Sequence, residues 1–252
     1  MTASPRRAYA FYATNNTYAI AVIVFVHLLK RLGVPDAVDV VVLHLPLSAR
    51  VLTVMRDMGI VTRQVTAPKS LHSSNYRDCL LKLRIFELTD YDRVVYMETD
   101  AIPLRRLDSL LTFPFDEPVA APVAHWLPQP FWNSFLLVVK PSDDLAARVS
   151  RHFESAAANK HYDMDIVNAE FAGEIRTLLQ EFAWLDSEWE DRRLASVFSD
   201  PDAAGTDVSL VQFTALGKPW SFSPDQVRRL RPDAHPCSIS FGTPGGRLDG
   251  TR

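Results

Sequence analysis

Strands and helices alternate through the first hundred residues, and this alternation limits the folds that the chain can adopt. Tyr9–Ala13 is a short apolar strand, and Val38–Leu45, rich in Val and Leu, has the composition of a strand buried on both faces. Ile60–Val65 and Val94–Met97 continue the series. A helix over about Tyr18–Leu32 separates the first two strands, and Gly33 ends it.

Two further helical segments lie between the later strands. Ser48 caps one, which runs to about Met58, and Lys82–Leu88 has apolar residues at helical spacing. Strand and helix in regular succession predict an α/β fold, with a mostly parallel central sheet flanked by helices.

The second half of the chain has a more mixed pattern. Its Pro-rich segment, Phe113–Pro130, is expected to be mostly loop and edge strand. The elements expected after it are a strand over Ser134–Val139, helices over Asp144–Glu154 and from about Asp163, and a late strand over Val208–Phe213. With no repeat or clear linker, residues 1–252 are interpreted as a single domain, with a mobile tail over about 232–252.

The strand Val94–Met97 ends in two carboxylates, Glu98 and Asp100, separated by one residue. Pro103 stops any regular continuation. In an open α/β sheet, ligands bind beyond the carboxyl ends of the strands. Two carboxylates there can hold a hard divalent cation, and the cation can hold a diphosphate. A solvated turn is the alternative interpretation of the same three residues.

Composition and charge exclude several classes of protein. The 252 residues carry a net charge of −3 with both signs mixed, so no basic field attracts nucleic acid. No Gly-x-Gly-x-x-Gly or P-loop motif follows the first strand. Two distant cysteines, Cys79 and Cys237, make neither a disulfide scaffold nor a zinc site. Without a signal peptide or an apolar stretch of membrane-spanning length, a cytoplasmic location is expected.

Six short motifs occur together in a fixed order between Ala8 and Ser223. They are Thr14-Asn15-Asn16-Thr17-Tyr18, Lys82-Leu83-Arg84, Glu98-Thr99-Asp100, Trp132-Asn133-Ser134-Phe135, Asp163-Met164-Asp165-Ile166-Val167-Asn168, and the closing Gln212 to Trp220, which contains Gly217-Lys218-Pro219. In order and spacing the chain resembles glycosyltransferase family 8, in its branch of glycogenin and galactinol synthase. The resemblance implies a GT-A-like α/β fold.

Five positions depart from the pattern of that family. Glu98 replaces the first Asp of an Asp-x-Asp motif, and Gln212 replaces the His that completes the metal site. Phe135 replaces a Gly, which would crowd the sugar pocket. Met164 replaces a Gln, and Ala215 replaces a Gly of the closing motif.

The resemblance implies a Mn²⁺ or Mg²⁺ site and a nucleotide-sugar site. Asp100, Glu98 and Gln212 are the expected metal ligands, and all three offer oxygen. The residues expected to bind the nucleotide sugar are Tyr12, Thr14, Asn15, Tyr18, Lys82, Glu98, Thr99, Asn133, Ser134, Gly217 and Lys218. Tyr12 and Tyr18 are expected to flank the uracil.

Asp163 and Lys218 are the expected catalytic residues. Asp163 matches the position of the family nearest the anomeric carbon, where a carboxylate stabilises an oxocarbenium-like centre or holds sugar hydroxyls. Asp165 is its neighbouring rival. Lys218, placed by Gly217 and Pro219, would meet the charge that grows on the leaving diphosphate. Helix cap and solvated loop lysine are the structural alternatives for Asp163 and Lys218.

These residues predict a retaining glycosyltransferase that moves a hexose from a UDP-sugar to a hydroxyl acceptor with help from a metal. The acceptor stays open among sugar, polyol and glycoprotein, and a homodimer is one option for assembly. His125 matches a family position that touches sugar, and Trp184, Trp189 and Trp220 are candidates for the acceptor cleft. Self-glucosylation is not expected, because Phe171 to Trp220 contains no Tyr. The alternatives are a nucleotide-sugar-binding pseudoenzyme and, less favoured, a nucleotide-sugar hydrolase.

Overall fold

The sheet of this protein is built from strands that are distant in sequence. The computed structural model describes residues 4–66, 79–128, 130–153, 161–186, 188, 208–214, 217–223 and 225–226. The strands are β1 Arg7–Ala13, β2 Asp39–His44, β3 Val61–Gln64, β4 Arg93–Met97, β5 Ala101–Pro103, β6 Val119–Pro122, β7 Leu136–Val139, β8 Ile175–Leu178, β9 Trp184–Leu185 and β10 Leu210–Gln212.

The α-helices lie between these strands, and all but the short helix Ser109–Thr112 were predicted from the sequence. They are α1 Asn16–Leu32, α2 Ala49–Asp57, α3 Ser109–Thr112, α4 Asp143–Ser150 and α5 Asp163–Glu170. Leu80–Glu87 forms a 3₁₀ helix, as do Gln180–Phe182 and Pro219–Ser221. The segment predicted around Lys82 is therefore helical, but it is wound more tightly than an α-helix.

The strands of the described part form a large sheet and a small one. The large sheet has the order β3-β2-β1-β4-β7-β6-β8, and the small sheet has the order β5-β10-β9. β1 pairs in parallel with β2 and β4, β2 with β3, and β6 with β8, whereas β7 runs antiparallel to β4 and β6. This arrangement confirms the predicted α/β fold with a mostly parallel sheet.

Alternation along β1 gives the molecule a core on each face of the large sheet. Tyr9 and Phe11 point into the core on the side of α1, and Ala8 and Ala10 point to the opposite face. The second core contains apolar residues of the 3₁₀ helix Leu80–Glu87, such as Phe86. Both faces are therefore covered, as the apolar strands predict.

Helix α1 ends where its cap residues place it. The Asn15 side chain accepts hydrogen bonds from the backbone nitrogens of Thr17 at 2.9 Å and Tyr18 at 3.3 Å. At the other end Gly33 has φ of +87°, and its N–H donates to Lys30 O at 3.1 Å.

The Pro-rich segment differs from its prediction at one strand. β6 lies between β7 and β8 and is buried along its length, so it is an inner strand rather than an edge strand. Prolines stay compatible with this position because Pro118 precedes the strand and Pro122 is its last residue. The predicted tail over 232–252 lies outside the described residues. Within the described residues, no helix combines the length and apolarity needed to cross a membrane.

Candidate active site

The candidate site lies where β1 and β4 end. The backbone of Glu98-Thr99-Asp100, which we call the acidic motif, is fixed from two sides. Glu98 N donates to Phe135 O at 2.9 Å, which ties the motif to the beginning of β7. Asp100 O accepts a hydrogen bond from Phe213 N at 2.8 Å, directly after β10. Segments more than a hundred residues apart are thereby held together around Glu98 and Asp100.

Glu98 and Gln212, the two departures from the family's metal motif, contact each other. The Gln212 amide donates to Glu98 Oε2, and the Lys82 ammonium donates to Glu98 Oε1. Glutamate is one methylene longer than aspartate, so its carboxylate reaches both donors. Burial, together with the charges of Asp100 and Asp163, raises the pKa of Glu98 to about 7 against the opposing charge of Lys82.

Lys82 joins the acidic motif to helix α5. Its side chain is 4% exposed, and its Nζ lies 2.8 Å from Asp163 Oδ2. Burial lowers the pKa of Lys82, but the charges of Asp163 and Glu98 outweigh it and raise the pKa above its ordinary value. Lys82 is thus a buried cation between two carboxylates, not an exposed helix residue.

Asp163 stands at the first position of α5 and faces the site. Besides Lys82, its Oδ2 accepts a hydrogen bond from Ser134 Oγ. Its rival Asp165 caps the helix instead, because its carboxylate accepts from Tyr162 N at 2.8 Å. Of the two carboxylates, Asp163 is therefore the one directed toward the other site residues.

Asn168 fixes the position of α5 against the segment before β7, which carries Asn133 and Ser134. Its Oδ1 accepts from Trp132 N at 2.9 Å, and its Nδ2 donates to Trp132 O at 2.7 Å and to Met164 O at 2.8 Å. These bonds explain why an Asn ends the motif that begins with Asp163.

Lys218 is brought to the acidic motif by the loop after β10. Its ammonium donates to Asp100 Oδ2 and, at 3.0 Å, to Phe213 O. Gly217 has φ of +93°, a backbone conformation that favours glycine and turns the chain toward Asp100. Burial lowers the pKa of Lys218, but its hydrogen bond to Asp100 and the charge of that carboxylate more than offset the effect, so the pKa is raised.

The expected sugar-binding residues line one cleft of about 640 Å³. Its polar lining comprises Lys82, Glu98, Asn133, Ser134, Asp163, Asp165 and Gln212. Asn133 is 1% exposed, and neither atom of its side-chain amide has a hydrogen-bond partner among the described residues. The donor and acceptor atoms of this amide are therefore available to a polar ligand.

The residues expected around the nucleotide lie at the edge of this region. Tyr12 stacks on Tyr96 with ring centroids 6.3 Å apart, and Tyr18 packs edge-on against Trp220 at 5.4 Å. Each tyrosine therefore already has an aromatic partner. Thr14 is half-buried after β1, and Asn15 uses its side-chain oxygen to cap α1.

Thr99 and Asp100 also line a second, smaller groove. It measures about 360 Å³ and runs between α1 and the Pro219–Ser221 turn, with Thr17 and Trp220 in its wall. The acidic motif consequently faces two cavities. Glu98 lines the cleft of about 640 Å³, which we call the sugar-side cleft, and Asp100 lines the groove beside α1.

The oxygen donors of this site fit a hard divalent cation that shares its coordination with a ligand. Asp100 and Glu98 supply carboxylates, and Gln212 supplies an amide oxygen; Mg²⁺ commonly takes one or two carboxylates together with phosphate oxygens. No group of three or more His, Cys, Asp and Glu side chains suited to a metal occurs in the described part of the chain.

Trp184 and Trp220, two candidates for the acceptor cleft, do not line the 640 Å³ cleft, whereas Phe135 does. Trp184 is buried against Val208 and Val211 and does not line the cleft, and Trp220 packs on Tyr18 beside the smaller groove. Phe135 lines the cleft, but most of its surface is buried in the core. Trp189 and Ala215 lie outside the described residues.

His125 also differs from its expected role. Its Nε2 contacts Glu188 Oε1, and its Nδ1 contacts the side-chain nitrogen of Gln180, so both ring nitrogens are engaged by protein groups. The apolar wall of the cleft comes instead from Trp126, Leu127, Pro128, Phe131, Phe135, Tyr162 and Met164. The run Trp126-Leu127-Pro128 within the Pro-rich segment was the available signal for this wall.

No protein-family model matches the chain. It is 26% identical to glucose N-acetyltransferase 1 of Gibberella zeae, over 85% of this chain and 53% of that protein. It is 25% identical to glycogenin-1 of Mus musculus, over 62% of this chain and 47% of that protein. The chain thus spans about half the length of these curated relatives.

Solved structures show the same fold. The galactosyltransferase LgtC, crystallised with donor and acceptor sugar analogues, superposes with a TM-score of 0.67 over 87% of this chain and 90% of that one, at 16% identity. At 16% identity the likeness to LgtC supports the fold alone, whereas the two curated relatives are similar in sequence. The chain thus has the GT-A fold, and in its motifs and relatives it is similar to glycosyltransferases of family 8.

Proposed function

We propose that the protein transfers a hexose from a UDP-sugar to a hydroxyl acceptor with retention of configuration. The observation that carries the proposal is the meeting of two cation–carboxylate pairs at the strand ends: Lys82 with Asp163, and Lys218 with Asp100. The pair of Lys82 and Asp163 lies in the sugar-side cleft, and the pair of Lys218 and Asp100 includes the last residue of the acidic motif. Together they match the two parts of a nucleotide sugar, a neutral ring and a doubly charged diphosphate.

In this proposal Lys218 acts on the leaving group. Negative charge grows on the diphosphate as the bond to the sugar breaks, and an ammonium already beside Asp100 stabilises that charge. A bound Mn²⁺ or Mg²⁺, held by Asp100 with Glu98 and Gln212, would supply further positive charge for the diphosphate.

Asp163, Ser134 and Asn133 act on the sugar. Asp163 is fixed by Lys82 and Ser134, so its carboxylate is oriented before the ligand arrives. It would stabilise the positive charge that develops at the anomeric carbon, and the Asn133 amide would hold sugar hydroxyls. Retention by double displacement and by same-face attack both stay compatible with this arrangement.

A specific observation also supports a second candidate function, that of a nucleotide-sugar-binding pseudoenzyme. Lys82 and Gln212 occupy both oxygens of Glu98, and Lys218 contacts Asp100, so the carboxylates already have partners without a metal. Binding of a UDP-sugar without turnover would follow if these pairs persist in the complex.

Release of UDP from a panel of UDP-hexoses, measured with and without Mn²⁺, tests the proposal. A transferase releases UDP faster when a hydroxyl acceptor is added, and Mn²⁺ increases the rate. UDP binding by calorimetry without any UDP release would favour the pseudoenzyme, and release that no acceptor accelerates would favour a hydrolase.

A further inference from the structure

Helix α1 exposes apolar side chains on its solvent side. Ile20 and Val24, one helical turn apart, are each 53% exposed, whereas Val22 and Leu29 on the other side of the helix are buried. Arg31 follows Val24 by seven residues, or about two turns, and continues the same line along the helix. The solvent side of a surface helix is normally polar, so Ile20 and Val24 are an exception to the usual pattern.

The two exposed residues also form one wall of the smaller groove beside α1. Ile20, Val24 and Leu28 line the groove from the helix, and Ile102 and Trp220 line it from other segments. The groove and the exposed side chains thus make one continuous apolar surface. We call Ile20, Val24 and the lining of this groove the α1 face.

Basic segments flank the α1 face. Helix α2 runs alongside α1 and is tied to it at both ends. At one end the Asn16 side chain accepts a hydrogen bond from Ser48 N at 3.0 Å. At the other end the Lys30 ammonium donates to Met58 O. On the side of the groove, the segment after β5 carries Arg106 beside the C-terminal end of α1.

The α1 face is a positive part of a chain that is acidic as a whole. Helices α1 and α2 and residues 101–108 together contain six Lys and Arg and two Asp, a net charge of +4, whereas the whole chain has −3. These residues are Lys30, Arg31, Arg50, Arg56, Arg105 and Arg106, with Asp57 and Asp108. Asp100, which lines the groove, is paired with Lys218, and Asp36 in the loop after α1 is a further exposed carboxylate nearby. Positive charge therefore stays in excess around the apolar surface.

The charge and the small apolar area favour a lipid surface as the partner of the α1 face. Two copies of the chain paired through this face would bring their positive charges together, which opposes self-association. A stable protein interface commonly buries about 800 Å² on each partner around an apolar core, and two half-exposed aliphatic side chains make a small core of that kind. An anionic lipid surface needs no such core, because each Lys or Arg near it strengthens binding by about fivefold.

We propose that the α1 face docks on an anionic lipid surface. Ile20 and Val24 enter the boundary between headgroups and acyl chains, and Arg31 with the neighbouring cations contacts lipid phosphates. In this arrangement α1 lies in the plane of the surface. Since the N-terminal end of α1 adjoins Asp100 at the groove, docking brings the candidate site close to the lipid. The inference does not use the proposed transferase activity.

Co-sedimentation with vesicles tests the proposal. The full chain is mixed with vesicles of phosphatidylcholine alone, or of phosphatidylcholine with phosphatidylglycerol, at low and at high NaCl. The face variants are the double variant Ile20→Ser/Val24→Ser and the single variant Arg31→Glu. The matched controls are Leu179→Ser, since Leu179 is 69% exposed after β8, and Arg151→Glu, since Arg151 is exposed after α4. Circular dichroism and Tm without vesicles show whether each variant is folded.

We expect the wild type to sediment with the mixed vesicles and not with phosphatidylcholine alone, and high salt should release it. Arg31→Glu should weaken the affinity for mixed vesicles about fivefold or more. The double serine variant should weaken it about tenfold or more, because two aliphatic side chains no longer leave water on binding. Both controls should bind within about twofold of the wild type.

The inference is overturned if the wild type sediments with neither kind of vesicle or equally with both, or if the controls lose as much affinity as the face variants. It is also overturned if light scattering without lipid shows a dimer that the double serine variant dissociates, because a second copy then occupies the face. Tighter binding to soluble polyglutamate than to mixed vesicles would assign the face to an acidic protein instead. Should the double variant unfold, Arg31→Glu and the salt dependence decide, since they leave the apolar side chains in place. None of these outcomes depends on UDP release, so failure of the transferase proposal is detected separately.

Discussion

Charged side chains at this site contact partners of opposite charge, and Lys218 with Asp100 is the clearest case. Its ammonium is placed beside Asp100 by a glycine at positive φ and by the carbonyl of Phe213. The charge it would meet on a leaving diphosphate is larger in the transition state than in the bound donor.

We expect Lys218→Ala to lower kcat more than it raises the donor KM. Loss of one such contact is worth about 2.7–4 kcal/mol, or roughly a hundred- to a thousandfold in rate. Steady-state kinetics at saturating donor measure this effect, with the exposed Lys30→Ala as the control. A normal kcat with a raised KM would assign Lys218 to donor binding alone.

Asp100 and Glu98 are expected to differ in their importance to the metal. Asp100→Asn removes a charged oxygen ligand and should abolish the gain in UDP affinity that Mn²⁺ gives to the wild type. Glu98→Asp should keep that gain, because it restores the residue found in the family. Calorimetry of UDP binding with Mn²⁺ and with EDTA measures both. Equal UDP affinity of the wild type in both conditions would remove the metal from the proposal.

The raised pKa of Glu98 predicts how stability depends on pH. Its pKa is about 7 in the folded protein and 4.5 in the unfolded chain, so between these values the folded state holds the extra proton. The contribution of Glu98 to stability is therefore complete below about pH 4.5 and is lost as the pH rises through 7. Glu98→Gln, which keeps the shape without the titration, should remove this part of the dependence.

Thermal unfolding from pH 5 to pH 8 compares the two proteins. The difference in Tm between wild type and Glu98→Gln should shift in favour of the variant as the pH rises. A constant difference over this range would mean that Glu98 titrates outside it, for instance because Lys82 keeps it ionised.

At the scale of elements, the position of α5 depends on one side chain. Asn168 makes two hydrogen bonds to the backbone of Trp132 and one to Met164 O. Asn168→Ala leaves these half-buried backbone groups without partners and should lower the free energy of unfolding by about 1–3 kcal/mol. Urea unfolding measures this change.

The matched control for Asn168 is Asn16→Ala, which removes an exposed hydrogen bond to Ser48 N. We expect a smaller loss of stability from the control. Equal losses in the two variants would show that the link between α5 and the Trp132 segment contributes no more than a surface bond does.

The bounds of single helices and strands were easier to predict than the elements that lie beside them in the fold. The apolar runs and caps predict β1, α1 and β4 closely, because their signals lie within a few residues of the element itself. β6 was predicted as an edge strand because its prolines suggest one, and only its pairing with β7 and β8 shows that it is an inner strand. Pairing depends on residues far along the chain, which local patterns do not contain.

In the site, too, the participating residues were easier to predict than the contacts between them. Motif order was sufficient to propose Asp163, Lys82 and Ser134 together, and the structure brings them into contact. The resemblance also placed Glu98 and Gln212 at one metal site, but it did not predict the direct hydrogen bond between these residues, which lie 114 positions apart. The apolar wall of the cleft was missed because its signal, the run Trp126-Leu127-Pro128, lies in a Pro-rich segment that local patterns assign to loop and edge strand.

In the whole molecule, the site includes residues from a part of the chain that the large sheet does not use. The seven strands of the large sheet come from residues 7–178, whereas Gln212 and Lys218 belong to the small sheet and the loop after it. Disruption of the small sheet should therefore disable the site before it unfolds the protein.

Val211→Asp tests this separation, because Val211 is fully buried in β10 and a charge there opposes the pairing with β5 and β9. We expect UDP binding to be lost while backbone amides of β1, β2 and β4 keep their protection from hydrogen exchange. The conservative Val211→Ala should retain more of the binding. Loss of protection throughout the large sheet would show that the two sheets fold as one unit.

The distance in sequence between Asp100 and Lys218, 118 positions, also sets an order of events during synthesis. A growing chain exposes its N-terminal part first, and domains begin to fold from that part. All strands of the large sheet, with Asp100 and Lys82, have been translated before the codon for Lys218 is read. The large sheet can therefore assemble during translation before the candidate site is complete. The last charged group of the site, the ammonium of Lys218, is added only when the loop after β10 is synthesised.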